Sequence, residues 1–164
     1  MSEFWGRVVK DAKRGEIKDG DTRYGIFRAD VIVETVNQMP EQSRGEVLRS
    51  FFPAVELHGR ESLARYFDMV ERDIDRLLET VAATAPNLGW GAWQFKRADN
   101  NLILEVVNSP YTAFQAPTGA VCCAPILGMF TALARMIFGE VAVAETPCAS
   151  KAPGRCVFKA EKIT

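Results

Sequence analysis

Apolar residues recur at three- and four-residue steps over Leu63, Tyr66, Phe67, Val70, Ile74, Leu77, Leu78 and Val81, with charged residues between them. That spacing places one apolar stripe on an amphipathic helix, which follows Gly59 and ends at Ala82 to Pro86. The stretch Tyr24 to Met39 carries Ile26, Phe27, Val31, Ile32, Val33 and Val36 and stops at Pro40. Its length, with Ala29, Glu34 and Gln38, favours a helix over a strand. Ser43 and Glu46 have capping-box spacing ahead of Val47, Leu48, Phe51 and Phe52, so a short helix is expected to run to Phe52 and stop at Pro53.

After Pro86 the period drops to two. Trp90, Ala92, Trp93 and Phe95, then Leu102, Leu104 and Val106, flank Asp99-Asn100-Asn101 and predict a β-hairpin. A helix is expected from Gly119 to Phe138, closed by Gly139, with Ile126, Leu127, Phe130, Leu133, Ala134 and Ile137 inside. Val141–Ala144 and Val157–Ala160 predict two further strands joined by a Pro- and Gly-containing loop. Residues 1 to 24 are charged and interrupted by glycines at 6, 15 and 20. They are expected as an N-terminal extension with a short helix around Phe4 to Val9, preceding a single domain over residues 25 to 164. The order implies an α+β fold: N-terminal helices packed on an antiparallel sheet of about four strands, with a long helix between two hairpins.

Length and composition then narrow the class. The 164 residues suffice for one core without staples, and 48% hydrophobic with 25% charged residues is an ordinary globular balance. Twenty Lys and Arg against 21 Asp and Glu leave a net charge of -1, which argues against nucleic acid as the main partner. No apolar run approaches the roughly 18 to 20 residues of a membrane span, and Met1-Ser2-Glu3-Phe4-Trp5 has no signal core. A cytoplasmic protein is expected.

All four cysteines, Cys122, Cys123, Cys148 and Cys156, fall in the last quarter of the chain, and His58 is the only histidine. Histidine-rich metal sites are thereby excluded, and a nucleophile–histidine pair would depend on His58 alone. In a reducing compartment, clustered cysteines read as metal ligands or redox groups. Glu145 precedes Cys148 by three residues and Cys156 by eleven, and the Cys122-Cys123 pair lies upstream. Three thiolates and one carboxylate can surround a tetrahedral Zn²⁺, and soft sulfur favours Zn over Mg or Ca. Such a site is closed and therefore structural. The plainer alternatives are buried cysteines acting as small hydrophobes, or a redox disulfide between Cys148 and Cys156.

Cys123-Ala-Pro-Ile-Leu-Gly128, Gly139, Glu145-Thr-Pro-Cys148 and Gly154-Arg-Cys156-Val-Phe158 together resemble the 4-vinyl reductase domain, also called the hydrocarbon-binding domain. The motif-bearing match runs over residues 102 to 163. That family includes bacteriochlorophyll-synthesis accessory proteins, sensory domains of phenol-responsive transcription activators and relatives of vesicle-tethering subunits. In the phenol-sensor branch three cysteines and a glutamate bind zinc, and the pattern maps onto Glu145, Cys148 and Cys156. The glycine five residues on favours Cys123 as the remaining ligand, whereas distance back from the glutamate fits Cys122 as well.

The resemblance also implies a small-molecule pocket between helices and sheet. Trp90, Trp93, Phe95, Tyr111, Phe114, Met129 and Phe130 are the candidate lining, although aromatics at such spacing also serve as plain core. In the phenol sensors a Trp and a His reach the ligand hydroxyl. Here His58 lies far upstream of the motif region and is expected at the surface or in a loop. No ATPase or DNA-binding domain accompanies the motif, so a signal would pass to a separate partner. Three roles follow: a zinc-stabilised module for a small apolar or aromatic molecule, a zinc-structured accessory subunit or adaptor, or an enzyme. The last rests on the family name alone, because no Gly-rich dinucleotide fingerprint follows a strand. A homodimer is the expected assembly.

Overall fold

The structure is a computed structural model that describes residues 3–118, 120–146, 148 and 154–163. The hairpin–helix–hairpin order read from the alternation is present. Strands β4 (Ala92–Ala98) and β5 (Asn101–Val107) form the first hairpin, helix α5 (Ala124–Phe138) follows, and β6 (Val141–Glu145) and β7 (Arg155–Lys162) form the second. The four strands make one antiparallel sheet in the order β4-β5-β7-β6. Register places Leu102 opposite Ala160, Leu104 opposite Phe158 and Val106 opposite Cys156. All six are buried, so one face of the two central strands is continuously apolar. Phe130 of α5 packs on it, its ring 6.1 Å from that of Phe158. Helix α5 starts at Ala124, with Cys123 at its N-cap, and stops at Gly139, whose φ of 82° is left-handed.

The helices ahead of the sheet depart from the expected boundaries. Helix α2 spans Ala29–Asn37, inside the predicted stretch. Helix α3 runs unbroken over Glu41–Met69, through both Pro53 and Gly59, and Ser43 lies inside it rather than capping it. The reason is tertiary. Leu48, Glu56, Gly59, Leu63 and Tyr66 form one buried face that spans the proline, and burying it against α5 outweighs the hydrogen bond that Pro53 removes. The single long helix expected to Val81 is instead broken. Glu71 (φ 58°) and Arg72 (φ 62°) are left-handed, and Asp73 caps helix α4 (Ile74–Thr84) by accepting the Arg76 N–H at 3.0 Å. The break turns the chain so that Leu77, Leu78 and Val81 join the core already entered by Leu63 and Tyr66. Glu56 ties α3 to α5: its buried carboxylate accepts from Arg60 at 2.6 Å and from Arg135.

Residues 3–24 carry more structure than their charge pattern predicts. A short helix α1 (Glu3–Arg7) leads into an antiparallel meander of β1 (Val9–Asp11), β2 (Glu16–Asp19) and β3 (Thr22–Tyr24). Phe4 is buried and meets Tyr24 edge-on at 5.5 Å. Arg65 of α3 holds the β2–β3 turn, donating to the Asp19 carbonyl at 2.9 Å and to the Thr22 hydroxyl at 2.6 Å. Charges that read as solvated are used locally, as in the 2.9 Å Lys18–Glu16 pair and the 3.2 Å Arg7–Asp19 pair. No helix among the described residues is long and apolar enough to cross a membrane.

Candidate functional site

Four separate elements converge at one end of the sheet. Cys156 lies on β7, fully buried beside Val106. Glu145 ends β6 opposite Phe158, so its side chain leaves the sheet on the same face as Cys156. Cys123 stands at the start of α5. Pairing continues one residue past β6, where the Thr146 N–H reaches the Val157 carbonyl at 2.7 Å, and Cys148 follows. One ligand atom from each of Cys123, Glu145, Cys148 and Cys156 lies within 4.8 Å of all the others. The Cys123 and Cys156 sulfurs are 3.5 Å apart, and those of Cys148 and Cys156 are 3.9 Å apart.

Cys122 points elsewhere, its sulfur 3.7 Å from the Phe114 carbonyl. Among the described residues, which include all four cysteines, none is disulfide-bonded, so the Cys148–Cys156 bridge considered from the sequence is not formed.

The electrostatics of the cluster are those of ligands held together. Hydrogen bonding with Cys148 and Cys156, burial and the nearby Glu145 charge all push the Cys123 thiol up. Burial, then the Cys148 thiol, pushes Glu145 up to about 8. One of its oxygens, Oε1, is buried with no hydrogen-bond partner among the described residues. A divalent cation would satisfy that oxygen and reverse each of these shifts, because thiolate and carboxylate are the forms that bind metal. The donor set therefore fits zinc: three sulfurs and one oxygen, at a spacing that tetrahedral ligands adopt.

A pH dependence follows for the metal-free protein. A carboxyl whose folded pKa is raised contributes stability below the ordinary carboxylate range and loses it as pH rises through the folded value. The thermal midpoint of chelator-treated protein is thus expected to fall between about pH 4.5 and about pH 8. Removing the carboxyl with Glu145→Gln should flatten that fall, as read by differential scanning fluorimetry.

Two apolar cavities share the aromatic residues around Trp90, and no cluster residue lines either of them. One, of about 310 Å³, opens between α3, α4 and the 84–93 segment, and Trp90, Trp93 and Met129 line it. The other, of about 350 Å³, is walled by Trp90, Tyr111 and Phe114, together with Phe4 and Tyr24 from the N-terminal meander. Trp90, Tyr24 and Leu88 belong to both.

Of the seven residues proposed for a pocket, five therefore border these cavities. Phe130 does not: it is fully buried on the sheet-facing side of α5, whereas its neighbour Met129 faces α3 and touches Gly59. Phe95 lies one step along β4 from Trp93, its ring 6.0 Å away, and borders a shallow groove with Asp75 and Leu78 of α4.

The sequence reading missed the polar wall of the 310 Å³ cavity. His58, Ser62 and Tyr66 recur every fourth residue of α3 and, with Thr22, Tyr24 and Thr84, edge an otherwise apolar space. His58 is exposed on the helix surface, 3.5 Å from Glu61, and stands at the rim. The i, i+4, i+8 spacing was legible, but only once α3 is known to be one helix. The Trp93 indole N–H is taken by the Trp90 carbonyl at 3.1 Å, which fixes the two rings against each other.

No protein-family model and no curated protein matches the sequence. Among solved structures, the chain is similar to the phenol-responsive sensory domain of the transcription activator PoxR with phenol. The TM-score is 0.73 at 17% identity, covering 98% of this chain and 87% of that one. The two share a fold. A weaker likeness, TM-score 0.55 at 10% identity, covers 82% of this chain and 90% of trafficking protein particle complex subunit 3 from Naegleria fowleri, covalently bound to palmitic acid. The fold thus serves a small-molecule sensor in one case and a subunit of a multiprotein complex in another.

Proposed function

We propose that this chain is a non-catalytic, zinc-stabilised cytoplasmic domain that binds a small apolar or aromatic molecule and passes the signal to a separate protein. The observation that carries this reading is that one fold holds both a closed four-donor cluster and an apolar cavity edged by a few polar side chains. Cys123, Glu145, Cys148 and Cys156 would hold the metal, with Cys122 left as a core residue. Zinc with four protein ligands supplies a cross-link and no activated water, so its work is to bind β6, β7 and the start of α5 into one unit.

The cavity supplies the recognition. Its walls exclude water from an aromatic ring, and Ser62, Tyr66 and His58 offer hydrogen bonds to a hydroxyl on it. Likeness to a sensory domain that holds phenol supports an aromatic ligand of that size class.

An accessory-subunit role is favoured by a different feature. Ile26 and Phe27 are each 73% exposed, and Trp5 and Val31 are also exposed. Such apolar surface suits a partner protein or a second copy of the chain. The two roles are compatible, since a ligand-binding domain that signals to another protein uses such a surface.

Metal analysis by mass spectrometry, on protein purified without chelator, tests the first half of the reading. About one zinc per chain is expected, with the cluster thiols reacting only after denaturation. No metal and four reactive thiols in the folded protein would overturn it. Calorimetric titration with phenol and 2-naphthol tests the second half, with saturable binding as the expected result.

A further inference from the structure

We propose that Ser109 is a positioning residue that couples the metal cluster to the cavity wall, so that zinc and the aromatic ligand bind cooperatively. This rests on the function proposed above and concerns how its two sites communicate. Between β5 and α5 the chain makes one tight helical turn over Pro110–Ala113, and each end of that turn is held by one of the adjacent cysteines. At its start the Ser109 hydroxyl lies 3.6 Å from the Cys123 sulfur. Just past its end the Phe114 carbonyl lies 3.7 Å from the Cys122 sulfur. Ser109 is buried, its hydroxyl oxygen also accepts the Tyr111 N–H at 3.3 Å, and its carbonyl accepts from the Thr112 hydroxyl at 2.8 Å. The turn is therefore positioned from the cluster side.

What the turn carries is the wall of the cavities. The Tyr111 ring stacks on Phe114 at 5.9 Å and meets Trp90 edge-on at 5.8 Å. Trp90 borders both cavities, and its carbonyl holds the indole of Trp93. A continuous set of contacts thus leads from Cys123 through Ser109, Tyr111 and Trp90 to the surface that a ligand would touch.

The chemistry gives this chain of contacts two states. Between a thiol and a hydroxyl either group can donate, so the Ser109 hydrogen is not committed. A metal-bound cysteine is a thiolate and can only accept. Ser109 must then donate to sulfur, in a charge-assisted and stronger bond, and its lone pairs are left for the Tyr111 N–H. Metal binding consequently orders the turn and with it Tyr111 and Trp90. A ligand that packs against an ordered wall binds the metal-loaded form more tightly, and by linkage it tightens metal binding by the same factor.

The test measures phenol and 2-naphthol affinity on zinc-loaded and chelator-stripped wild type, and zinc affinity by chelator competition with and without saturating ligand. Coupling of about fivefold or more in both directions is expected. Ser109→Ala should keep one zinc per chain but reduce the coupling below about twofold, and Ser109→Thr should restore it. Equal ligand affinity with and without zinc in wild type, or full coupling in Ser109→Ala, would overturn the proposal. Where stripped protein proves unfolded by circular dichroism, the zinc-loaded forms decide: Ser109→Ala should bind ligand severalfold more weakly than wild type, and equal affinity would overturn it. Wild type that takes up no zinc, or neither aromatic, defeats the proposed function itself and the coupling with it. That outcome is distinct from two sites that are occupied but independent.

Discussion

Cys156→Ser is expected to abolish stoichiometric zinc binding, whereas Cys122→Ser keeps one zinc per chain. Cys156 is fully buried on a central strand, and its sulfur approaches those of both Cys123 and Cys148. A hydroxyl there is a poor replacement for a thiolate, and the remaining ligands cannot close around the metal. Affinity should fall by about 100-fold or more, which is ~2.8 kcal/mol at 1.4 kcal/mol per decade. Because metal binding is folding free energy, the thermal midpoint should fall by roughly 5 to 10 °C in zinc-containing buffer. Cys122 lies outside the cluster, its sulfur 3.7 Å from the Phe114 carbonyl, so its replacement should change stability by about 1 kcal/mol without metal loss. Zinc analysis and thermal denaturation of both variants provide the check, and equal zinc loss in the two would assign the first ligand wrongly.

The second large effect is expected at the crossing of α3 and α5. A Cβ at Gly128 would lie 2.5 Å from the Phe52 carbonyl oxygen and 3.2 Å from the Glu56 amide nitrogen. Both are backbone atoms of α3, so no side chain can move aside and the helices must separate. Gly128→Ala should therefore destabilise the fold by about 3 kcal/mol, the upper end of ordinary overpacking costs.

Gly59→Ala on the facing helix is the control. Its Cβ would crowd the Met129 sulfur at 3.0 Å and methyl at 3.2 Å, the far end of a flexible side chain, with Ala132 Cβ at an ordinary 3.8 Å. Met129 borders the 310 Å³ cavity and can swing into it. Stability should change by less than about 1 kcal/mol, helped by the better helix propensity of alanine, while the cavity shrinks and 2-naphthol binding weakens. Urea denaturation and ligand titration separate the two outcomes.

These two sites show how unevenly the chain could be read. The four-strand sheet and α5 were legible because alternation at Leu102, Leu104 and Val106 marks one buried strand face, and the helical stripe at Ile126, Phe130 and Leu133 marks the sheet-facing side of α5. Glu145, Cys148 and Cys156 were legible as a group from local spacing, because a hairpin brings residues on either side of its loop together. Helix α3 was not legible. Pro53 and Gly59 are local stop signals, overridden by packing that involves residues 128 to 135 of another element. The meander at residues 9–24 was hidden for a similar reason: Arg65 of α3 holds its β2–β3 turn through the Asp19 carbonyl and the Thr22 hydroxyl, and Glu16 and Asp19 pair with Lys18 and Arg7.

By itself, then, the sequence determined the α+β class and the hairpin–helix–hairpin order of residues 92–162, and it brought Glu145, Cys148 and Cys156 together as candidate ligands. All of these follow from periodicity and from ligand chemistry carried by nearby residues. Tertiary structure decided that Cys123 rather than Cys122 joins the cluster, because the two adjacent side chains leave the start of α5 in different directions. It also decided the cavity. His58, Ser62 and Tyr66 meet Trp90 and Trp93 only because α3 ignores Pro53 and the chain reverses at residues 71 and 72. Both outcomes depend on contacts between segments far apart in the chain, where the free energy of burying a shared face exceeds the local preference of any single residue.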